Sequence, residues 1–160
     1  MDELRVGIGV DAHAFSDAAP LVLGGVDFPG EPGLAGHSDG DVLAHALVDA
    51  VLGAASLGDI GTLFPSGESR WEGASSLALL ERAFATVREA GFELVNADCV
   101  LVGERPRIAA ARGEMEERLA GALGVEPDRV AVRATTTDGL GFTGRGEGLA
   151  AQAVALLRRA

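Results

Sequence analysis

All three histidines of the chain lie within its first 45 residues, and each has a carboxylate close to it in sequence. The first cluster is Asp11-Ala12-His13. The second begins with His37-Ser38-Asp39-Gly40-Asp41 and continues to His45 and Asp49. Imidazole and carboxylate groups are the ligands that zinc and similar divalent ions take in proteins. The clusters therefore predict a metal site near the beginning of the chain.

The spacing indicates which of these side chains could share one ion. Asp11 and His13 are two residues apart on a predicted strand, so both point to the same face of it. His45, on a predicted helix, could be a third ligand, which gives the two-histidine, one-carboxylate set of many catalytic zinc sites. Asp49, one helical turn later, is expected to orient the His45 imidazole. The alternative for each residue alone is a helix cap or a polar surface residue.

A second region with possible chemistry runs from Arg133 to Gly148. A predicted strand ends there in Thr135-Thr136-Thr137 and is followed by a glycine-rich stretch, whose hydroxyl and backbone N–H groups could hold phosphate oxygens. Asp138 could hold a second divalent ion, because hard carboxylate oxygens suit magnesium or manganese. A strand followed by an ordinary turn explains the same spacing equally well.

Two arginines stand together in Arg105-Pro106-Arg107, at a predicted junction between a strand and a helix. Their guanidinium groups and the N–H groups at the helix start would favour an anion. A solvated turn is the alternative, and the spacing alone favours it.

Composition restricts the class of protein. The 160 residues predict one domain, 1–160. The net charge of −11 argues against nucleic acid and anionic membranes as partners. All 13 basic residues are arginines, which excludes Schiff-base chemistry and a P-loop. A single cysteine, no long apolar run and no signal-peptide pattern predict a cytoplasmic protein.

Hydrophobic periodicity predicts an α+β fold. Strands are expected at 6–10, 94–102 and 130–136, with a hairpin at 21–28 that turns at Gly24-Gly25. Helices are expected from residue 38 or 39 onward, from Ser75 or Ser76 to about Ala90, and from Arg107 to Leu123. Segments 29–36 and 59–73 are expected to be irregular. Residues 149–159 fit a helix by propensity and a strand by alternation.

Several motifs together resemble the 2-C-methyl-D-erythritol 2,4-cyclodiphosphate synthase family, in order and over essentially the whole chain. They are Asp11-Ala12-His13, His37-Ser38-Asp39-Gly40-Asp41 with His45, Gly58-Asp59-Ile60-Gly61 with Phe64-Pro65, Ala134-Thr135-Thr136-Thr137, and Leu140-Gly141-Phe142-Thr143-Gly144-Arg145-Gly146-Glu147-Gly148. The resemblance implies an enzyme of the non-mevalonate route to isoprenoid precursors. It would convert 4-diphosphocytidyl-2-C-methyl-D-erythritol 2-phosphate to the cyclic diphosphate and release CMP, formally as a phosphorus–oxygen lyase.

The same resemblance implies roles for individual residues. Asp11, His13 and His45 would hold one zinc ion per subunit, and Asp138 would help to hold a second ion, Mg²⁺ or Mn²⁺. His37 and Thr136 would stabilise the transition state. The implied substrate contacts form a larger set: Asp11, Ala12, His13, His37, Ser38, Asp59, Ile60, Gly61, Phe64, Gly103, Arg107, Ala134, Thr135, Thr136, Thr137, Asp138, Phe142 and Arg145.

The family also implies an architecture. The chain would form a mixed four-stranded sheet with helices packed on one side and a β-hairpin near the N-terminus, assembled as a homotrimer with active sites between subunits. The last segment would be a strand, and the central cavity could take an isoprenoid diphosphate. Three positions depart from the family's usual residues: Asp138 replaces a glutamate, and Arg107 and Arg133 replace lysines. The segment Ser66-Gly67-Glu68 carries fewer aspartates than usual.

Two other functions use the same residues. A zinc-dependent phosphohydrolase would have the same three ligands and give a linear product, because water would be the nucleophile. A non-catalytic trimeric binding protein would use the metal to hold subunits together. The open fourth ligand position and the threonine run count against the latter.

Overall fold

The computed structural model describes residues 3–65 and 67–160. Ser66, the first residue of the segment Ser66-Gly67-Glu68, lies outside the described residues. The described residues form seven strands and five α-helices. The strands are β1 (Leu4–Ser16), β2 (Val22–Leu23), β3 (Val26–Asp27), β4 (Gly33–Leu34), β5 (Phe92–Val102), β6 (Val130–Thr135) and β7 (Gly148–Arg159). The helices are α1 (Val42–Ala54), α2 (Ile60–Leu63), α3 (Ser76–Glu89), α4 (Arg112–Leu123) and α5 (Gly141–Gly144), with 3₁₀ turns at Ser69–Trp71 and Pro127–Arg129.

The main sheet has five strands in the order β4-β1-β7-β5-β6. Strands β5 and β6 are parallel and the other neighbours are antiparallel, so the sheet is mixed. The parallel pair requires a crossover connection, which α4 provides. Strands β2 and β3 form a separate antiparallel pair that turns at Gly24-Gly25. The expected α+β class with a mixed sheet and helices is confirmed.

Three sequence predictions about the elements are wrong. Segment 59–73, expected to be irregular, contains α2 and a 3₁₀ turn, because the Asp59 cap and the bond from Ile60 N–H to Asp49 start a short helix there. The sheet has five strands rather than four, because Gly33 and Leu34, inside an expected loop, pair with the end of β1.

The helix expected from Arg107 begins at Arg112. Ile108 is buried in the core, and its carbonyl oxygen accepts from Ala111 N–H, so residues 108–111 form a turn although their composition favours a helix. Arg107 therefore lies outside the helix start.

The C-terminal strand β7 follows the alternation in its sequence rather than its helix propensity. Its inward residues are fully buried: Leu149, Ala151, Ala153, Ala155 and Leu157. Gln152 and Val154 point to the opposite face and are exposed. Pairing with β1 on one side and β5 on the other satisfies its backbone groups, so the tertiary structure overrides propensity.

Helix α1 packs directly against β1 because two glycines leave room for it. A Cβ atom on Gly7 would lie 2.0 Å from the carbonyl oxygen of Ala50, and one on Gly9 would lie 1.8 Å from that of Ala46. No side chain fits at such distances. The backbone of α1 therefore lies against the strand, and 11 of the 13 helix residues are buried.

The start of α1 is fixed by the buried carboxylate of Asp41. Its Oδ1 accepts hydrogen bonds from the N–H groups of Ala44, at 3.1 Å, and Gly24, at 2.9 Å. Its Oδ2 accepts a bond of 2.8 Å from Gly25 N–H. Burial raises the pKa of Asp41 to about 6, although the three N–H donors act in the opposite direction. The helix start is thus joined to the turn between β2 and β3.

The Gly9→Ala variant tests the contact between helix and strand. We expect the free energy of unfolding to fall by about 1–3 kcal/mol, as for other overpacked cores, because the new methyl group overlaps the Ala46 carbonyl. Urea denaturation measures the change. Gly121→Ala is the matched control, since its Cβ on α4 meets nothing within 4 Å. It should be neutral or stabilising. Equal unfolding midpoints for Gly9→Ala and the unmodified protein would contradict the packing described.

The Asp41→Asn variant tests the buried cap. One oxygen becomes an amide donor that faces an N–H group, so we expect a loss of about 1–3 kcal/mol in the free energy of unfolding. Thermal or urea unfolding measures it, with the exposed Asp17→Asn as the control of equal chemistry. Similar stability of the two variants would show that Asp41 does not hold the helix start.

Candidate active site

Three metal-ligating side chains meet where β1 passes α1. Asp11 Oδ2 lies 2.7 Å from His13 Nε2 and 3.1 Å from His45 Nδ1, and the two ring nitrogens are 3.2 Å apart. All three ligand atoms lie within 4.8 Å of one another. Such convergence of one carboxylate oxygen and two imidazole nitrogens fits a single divalent ion. Within the described residues, this is the one group of three or more such side chains that could hold a metal.

The backbone explains why these three residues converge. Asp11 and His13 alternate with exposed residues of β1, so both point to the face that α1 covers. His45 lies in the first turn of α1, directly before Ala46, whose carbonyl oxygen faces Gly9. The close contact between helix and strand thus brings His45 to the two strand residues. Ala12, also expected at the site, lies on the exposed face of the strand.

Hydrogen bonds within the cluster shift the pKa values of Asp11 and His13. Burial would raise the pKa of Asp11, but hydrogen bonds from His13 and His45 outweigh it and lower that pKa to about 2. The hydrogen bond to Asp11 raises the pKa of His13, against the effect of burial. Asp11 is therefore an anion at neutral pH, ready to act as a ligand. The positively charged partner that it attracts is a proton on imidazole or a metal ion.

The cluster forms part of the lining of a cavity of about 430 Å³. His37, Ser38, Ile60, Gly61 and Phe64, all expected at the site, also line it. So do residues that had no expected role in the site: Pro65, Gly67, Trp71 and Leu79. The cavity thus combines a polar metal cluster with an apolar wall, as small-molecule sites commonly do.

His37 and Asp59 lie at the edges of this region. The His37 side chain is exposed and its Nε2 is 3.4 Å from the carbonyl oxygen of Glu68. Asp59 caps α2, with Oδ1 accepting from the Thr62 N–H and hydroxyl groups, each at 2.8 Å. These bonds lower the pKa of Asp59. His37 therefore lies in the cavity without belonging to the three-ligand cluster.

The threonine segment, Thr135-Thr136-Thr137, forms a second cluster with Asp138 at the end of β6. Thr136 Oγ1 donates to Asp138 Oδ1 at 3.2 Å, and Asp138 has a left-handed backbone with φ of 53°. Thr137 Oγ1 donates to the carbonyl oxygen of Leu140 at 2.6 Å. The side chains of Thr136, Asp138 and Phe142 are exposed, as is that of Arg145, which pairs with Glu147. Ala134 and Thr135 end the strand and are also exposed.

The two clusters lie at the same end of the sheet but on different strands. Asp11 and His13 lie near the end of β1, and Thr135 ends β6, three strands away. At the usual strand spacing, the two backbones are about 14 Å apart. Gly103 is beside the threonine segment, with its N–H donating to the Thr135 carbonyl. Arg107 lines a separate groove with Phe28 and Pro29. One chain therefore does not bring the two clusters together around the 430 Å³ cavity.

The structure corrects the partner expected for His45. Asp49 accepts a hydrogen bond of 2.7 Å from Ile60 N–H, so its carboxylate fixes α2 rather than the imidazole. Ser38 and Ser76 instead place hydroxyl oxygens 2.8 Å from His45 Nε2. No spacing rule points to Ser76, which lies 31 residues from His45 in sequence. A serine beside a helix start, close to Ser75, is explained by capping alone.

Comparison with known proteins gives consistent results. Residues 4–158 match the model of the YgbB family. A protein of Rubrobacter xylanophilus named 2-C-methyl-D-erythritol 2,4-cyclodiphosphate synthase is 59% identical, with 100% of this chain and 98% of that protein aligned.

Solved structures agree. The bifunctional IspDF of Campylobacter jejuni superposes with a TM-score of 0.96 at 43% identity, over 100% of this chain and 43% of that one. The CDP complex of Plasmodium falciparum IspF gives a TM-score of 0.85 at 28% identity, over 99% and 98% of the two chains. The chain therefore belongs to the YgbB family, the enzymes named 2-C-methyl-D-erythritol 2,4-cyclodiphosphate synthase.

Proposed function

We propose that this chain cyclises 4-diphosphocytidyl-2-C-methyl-D-erythritol 2-phosphate. The 2-phosphate oxygen attacks the β-phosphorus, the bond from that phosphorus to the α-phosphate breaks, and CMP leaves with the bonding electrons. The product is 2-C-methyl-D-erythritol 2,4-cyclodiphosphate, so the reaction is that of a phosphorus–oxygen lyase in the non-mevalonate isoprenoid pathway. The observation that carries the proposal is the convergence of Asp11, His13 and His45 beside a cavity of about 430 Å³.

A metal ion held by Asp11, His13 and His45 would offset the negative charge of the substrate. The substrate is a polyanion, whereas the chain has a net charge of −11 and Asp11 is ionised. Asp11, His13 and His45 would hold one zinc ion per subunit, which when bound polarises a phosphate oxygen and offsets its negative charge. Asp138 would help to hold a second ion, Mg²⁺ or Mn²⁺.

The other site residues would bind and orient the substrate. Intramolecular attack needs the chain of the substrate to fold back on itself, and positioning accounts for most of the catalysis in such phosphoryl transfers. His37 and Ser38 would contact phosphate, and His37 would stabilise the transition state. Asp59, Ile60 and Gly61 would contact the erythritol hydroxyl groups. Phe64 contributes to the apolar wall.

The threonine segment would hold the nucleotide part. The hydroxyls of Thr135, Thr136 and Thr137 would bind the phosphates, with Thr136 stabilising the transition state. Gly103, Arg107 and Ala134 would bind the cytidine. The solved Plasmodium falciparum relative is described as a CDP complex, which supports a cytidine nucleotide as the ligand.

An assembly would bring the two clusters together. The face of the sheet opposite α1 exposes Leu4, Val6, Ile8 and Val10, each between 59% and 71% accessible, and Val154 at 43%. A continuous apolar surface of this kind commonly marks a protein interface. A homotrimer built through it would place the threonine segment of one subunit beside the metal cluster of its neighbour. Phe142 and Arg145 would face the central cavity, which could take an isoprenoid diphosphate.

No helix within residues 3–65 and 67–160 is long and apolar enough to cross a membrane. The single cysteine of the chain suits a reducing compartment, and we propose a cytoplasmic enzyme on that ground. The net charge of −11 argues against nucleic acid and anionic membranes as partners.

Replacing His45 and His37 separately tests the division of roles. We expect His45→Ala to lose bound zinc and CMP release together, because it removes one of three ligands. His37→Ala should keep about one zinc per subunit and lose most of its turnover. Elemental analysis and a CMP assay give the two readouts. A full zinc equivalent in His45→Ala would contradict the ligand assignment, and a linear phosphate product from the unmodified protein would favour the hydrolase.

Mixed trimers test whether sites are shared between subunits. His45→Ala and Thr136→Ala are each expected to have little activity alone. Unfolding and refolding them together should restore about a quarter of the sites, because some interfaces join an intact metal cluster to an intact threonine segment. Steady-state CMP release measures the recovery, with each variant refolded alone as control. No recovery in trimers shown by mass spectrometry to be mixed would contradict a shared site.

A further inference from the structure

The imidazole of His45 has hydrogen-bonding partners on both sides. Its Nδ1 faces Asp11 Oδ2 at 3.1 Å and His13 Nε2 at 3.2 Å. Its Nε2, on the opposite side of the ring, lies 2.8 Å from the hydroxyl oxygens of Ser38 and Ser76. Nδ1 is thus the nitrogen available to a metal, and Nε2 is the nitrogen that the protein can hold from behind.

Ser76 is linked in turn to the carboxylate of Asp39. The Ser76 hydroxyl donates to Asp39 Oδ1, and the Ser76 backbone N–H donates to Asp39 Oδ2 at 3.0 Å. Asp41 N–H also donates to Asp39 Oδ1, at 3.1 Å. The hydroxyl proton of Ser76 therefore points to Asp39. The lone pairs of Ser76 Oγ are then free to accept the Nε2–H of His45.

We propose that Asp39 and Ser76 are positioning residues that hold the Nε2–H of His45 in the metal-bound protein. The metal ion then takes the place of the Nδ1–H···Asp11 hydrogen bond, and the Nδ1 lone pair is directed at the ion. A neutral imidazole has one protonated nitrogen, and the bond made by that nitrogen decides which one remains to bind metal. Histidine ligands commonly make such a bond to a carboxylate or a carbonyl. Here a serine hydroxyl is interposed between the imidazole and the carboxylate. This inference rests on the metal site proposed above.

Burial separates Ser76 from the other hydroxyl near Nε2. The Ser76 side chain is fully buried and Ser38 is partly exposed. Ser38 lines the cavity, where substrate would compete for its hydroxyl. The two hydroxyl oxygens are 3.2 Å apart, so Ser38 can donate to Ser76. Ser76, with its carboxylate partner, is the one equipped to fix the tautomer whether or not the cavity is filled.

The pair also connects the two helices beside the site. Asp39 precedes α1, which carries His45, and Ser76 is the first residue of α3. The Asp39 carboxylate accepts hydrogen bonds from the backbone N–H groups of Ser76 and Asp41, and these bonds hold the starts of α1 and α3 together. Removing only the Ser76 hydroxyl leaves those backbone bonds in place. The Ser76→Ala variant therefore separates the imidazole contact from the joining of the helices.

Zinc affinity of the full-length protein without substrate tests the proposal. Competition with a chromophoric chelator should show Ser76→Ala binding zinc about 10–100-fold more weakly, the range for lost partners of histidine ligands. Ser75→Ala is the matched control: it removes the neighbouring exposed hydroxyl, which caps α3. It should leave the affinity unchanged. Asp39→Asn should weaken zinc binding as Ser76→Ala does.

The Co²⁺-loaded proteins give a second readout, because their visible bands report coordination geometry. We expect altered bands in Ser76→Ala and unaltered bands in Ser75→Ala, with similar melting temperatures of the two metal-free variants. Unchanged affinity and bands in a folded Ser76→Ala, or a larger loss in Ser38→Ala, would overturn the positioning role while leaving the metal site intact. Failure of the unmodified protein to bind zinc would overturn the metal site itself.

Discussion

The structure depends on the contact between β1 and α1 that Gly7 and Gly9 permit. With no side chain at these positions, the carbonyl groups of Ala46 and Ala50 lie where a Cβ would otherwise be. Helix and strand are therefore closer than any pair of larger residues allows. His45 in the first turn of α1 thereby reaches Asp11 and His13 on the strand. A helix displaced by the width of a methyl group would separate the three ligands.

The acidic residues around this contact have two different roles. Asp39 and Asp41 lie at the start of α1, and Asp49 lies two turns further along it. Each accepts at least one backbone N–H bond that holds a neighbouring segment. The Asp11 carboxylate instead contacts the imidazoles of His13 and His45. Three acidic residues thus build the frame and one is left to bind a cation. An acidic enzyme with an anionic substrate would require that cation, and its binding is our proposal.

The spacing of residues along the sequence predicted the part of the site that lies on β1. The two-residue spacing of Asp11 and His13 placed them on one face, and the helix that carries His45 was expected from its apolar stripe. The class of fold followed from the order of strands and helices. The C-terminal strand could not be decided from propensity, because alanine and leucine favour a helix while partners on both sides of β7 stabilise the strand.

Tertiary contacts decided what sequence could not. Asp49 was expected to orient His45 because they lie one helical turn apart, yet its carboxylate bonds to Ile60 N–H. Ser76 reaches the imidazole from another helix, which no local pattern encodes. The short β4 was missed because two residues give too little periodicity. The helix start at Arg112 was misplaced because burial of Ile108 was not visible in composition.

Anomalous diffraction at the zinc edge, from crystals of the zinc-loaded protein, tests the central claim most directly. We expect one strong peak per subunit, bonded to Asp11 Oδ2, His13 Nε2 and His45 Nδ1, with its open side facing the cavity. A peak bonded to His37 or to Nε2 of His45 would refute this ligand set, as would the absence of a peak where β1 meets α1.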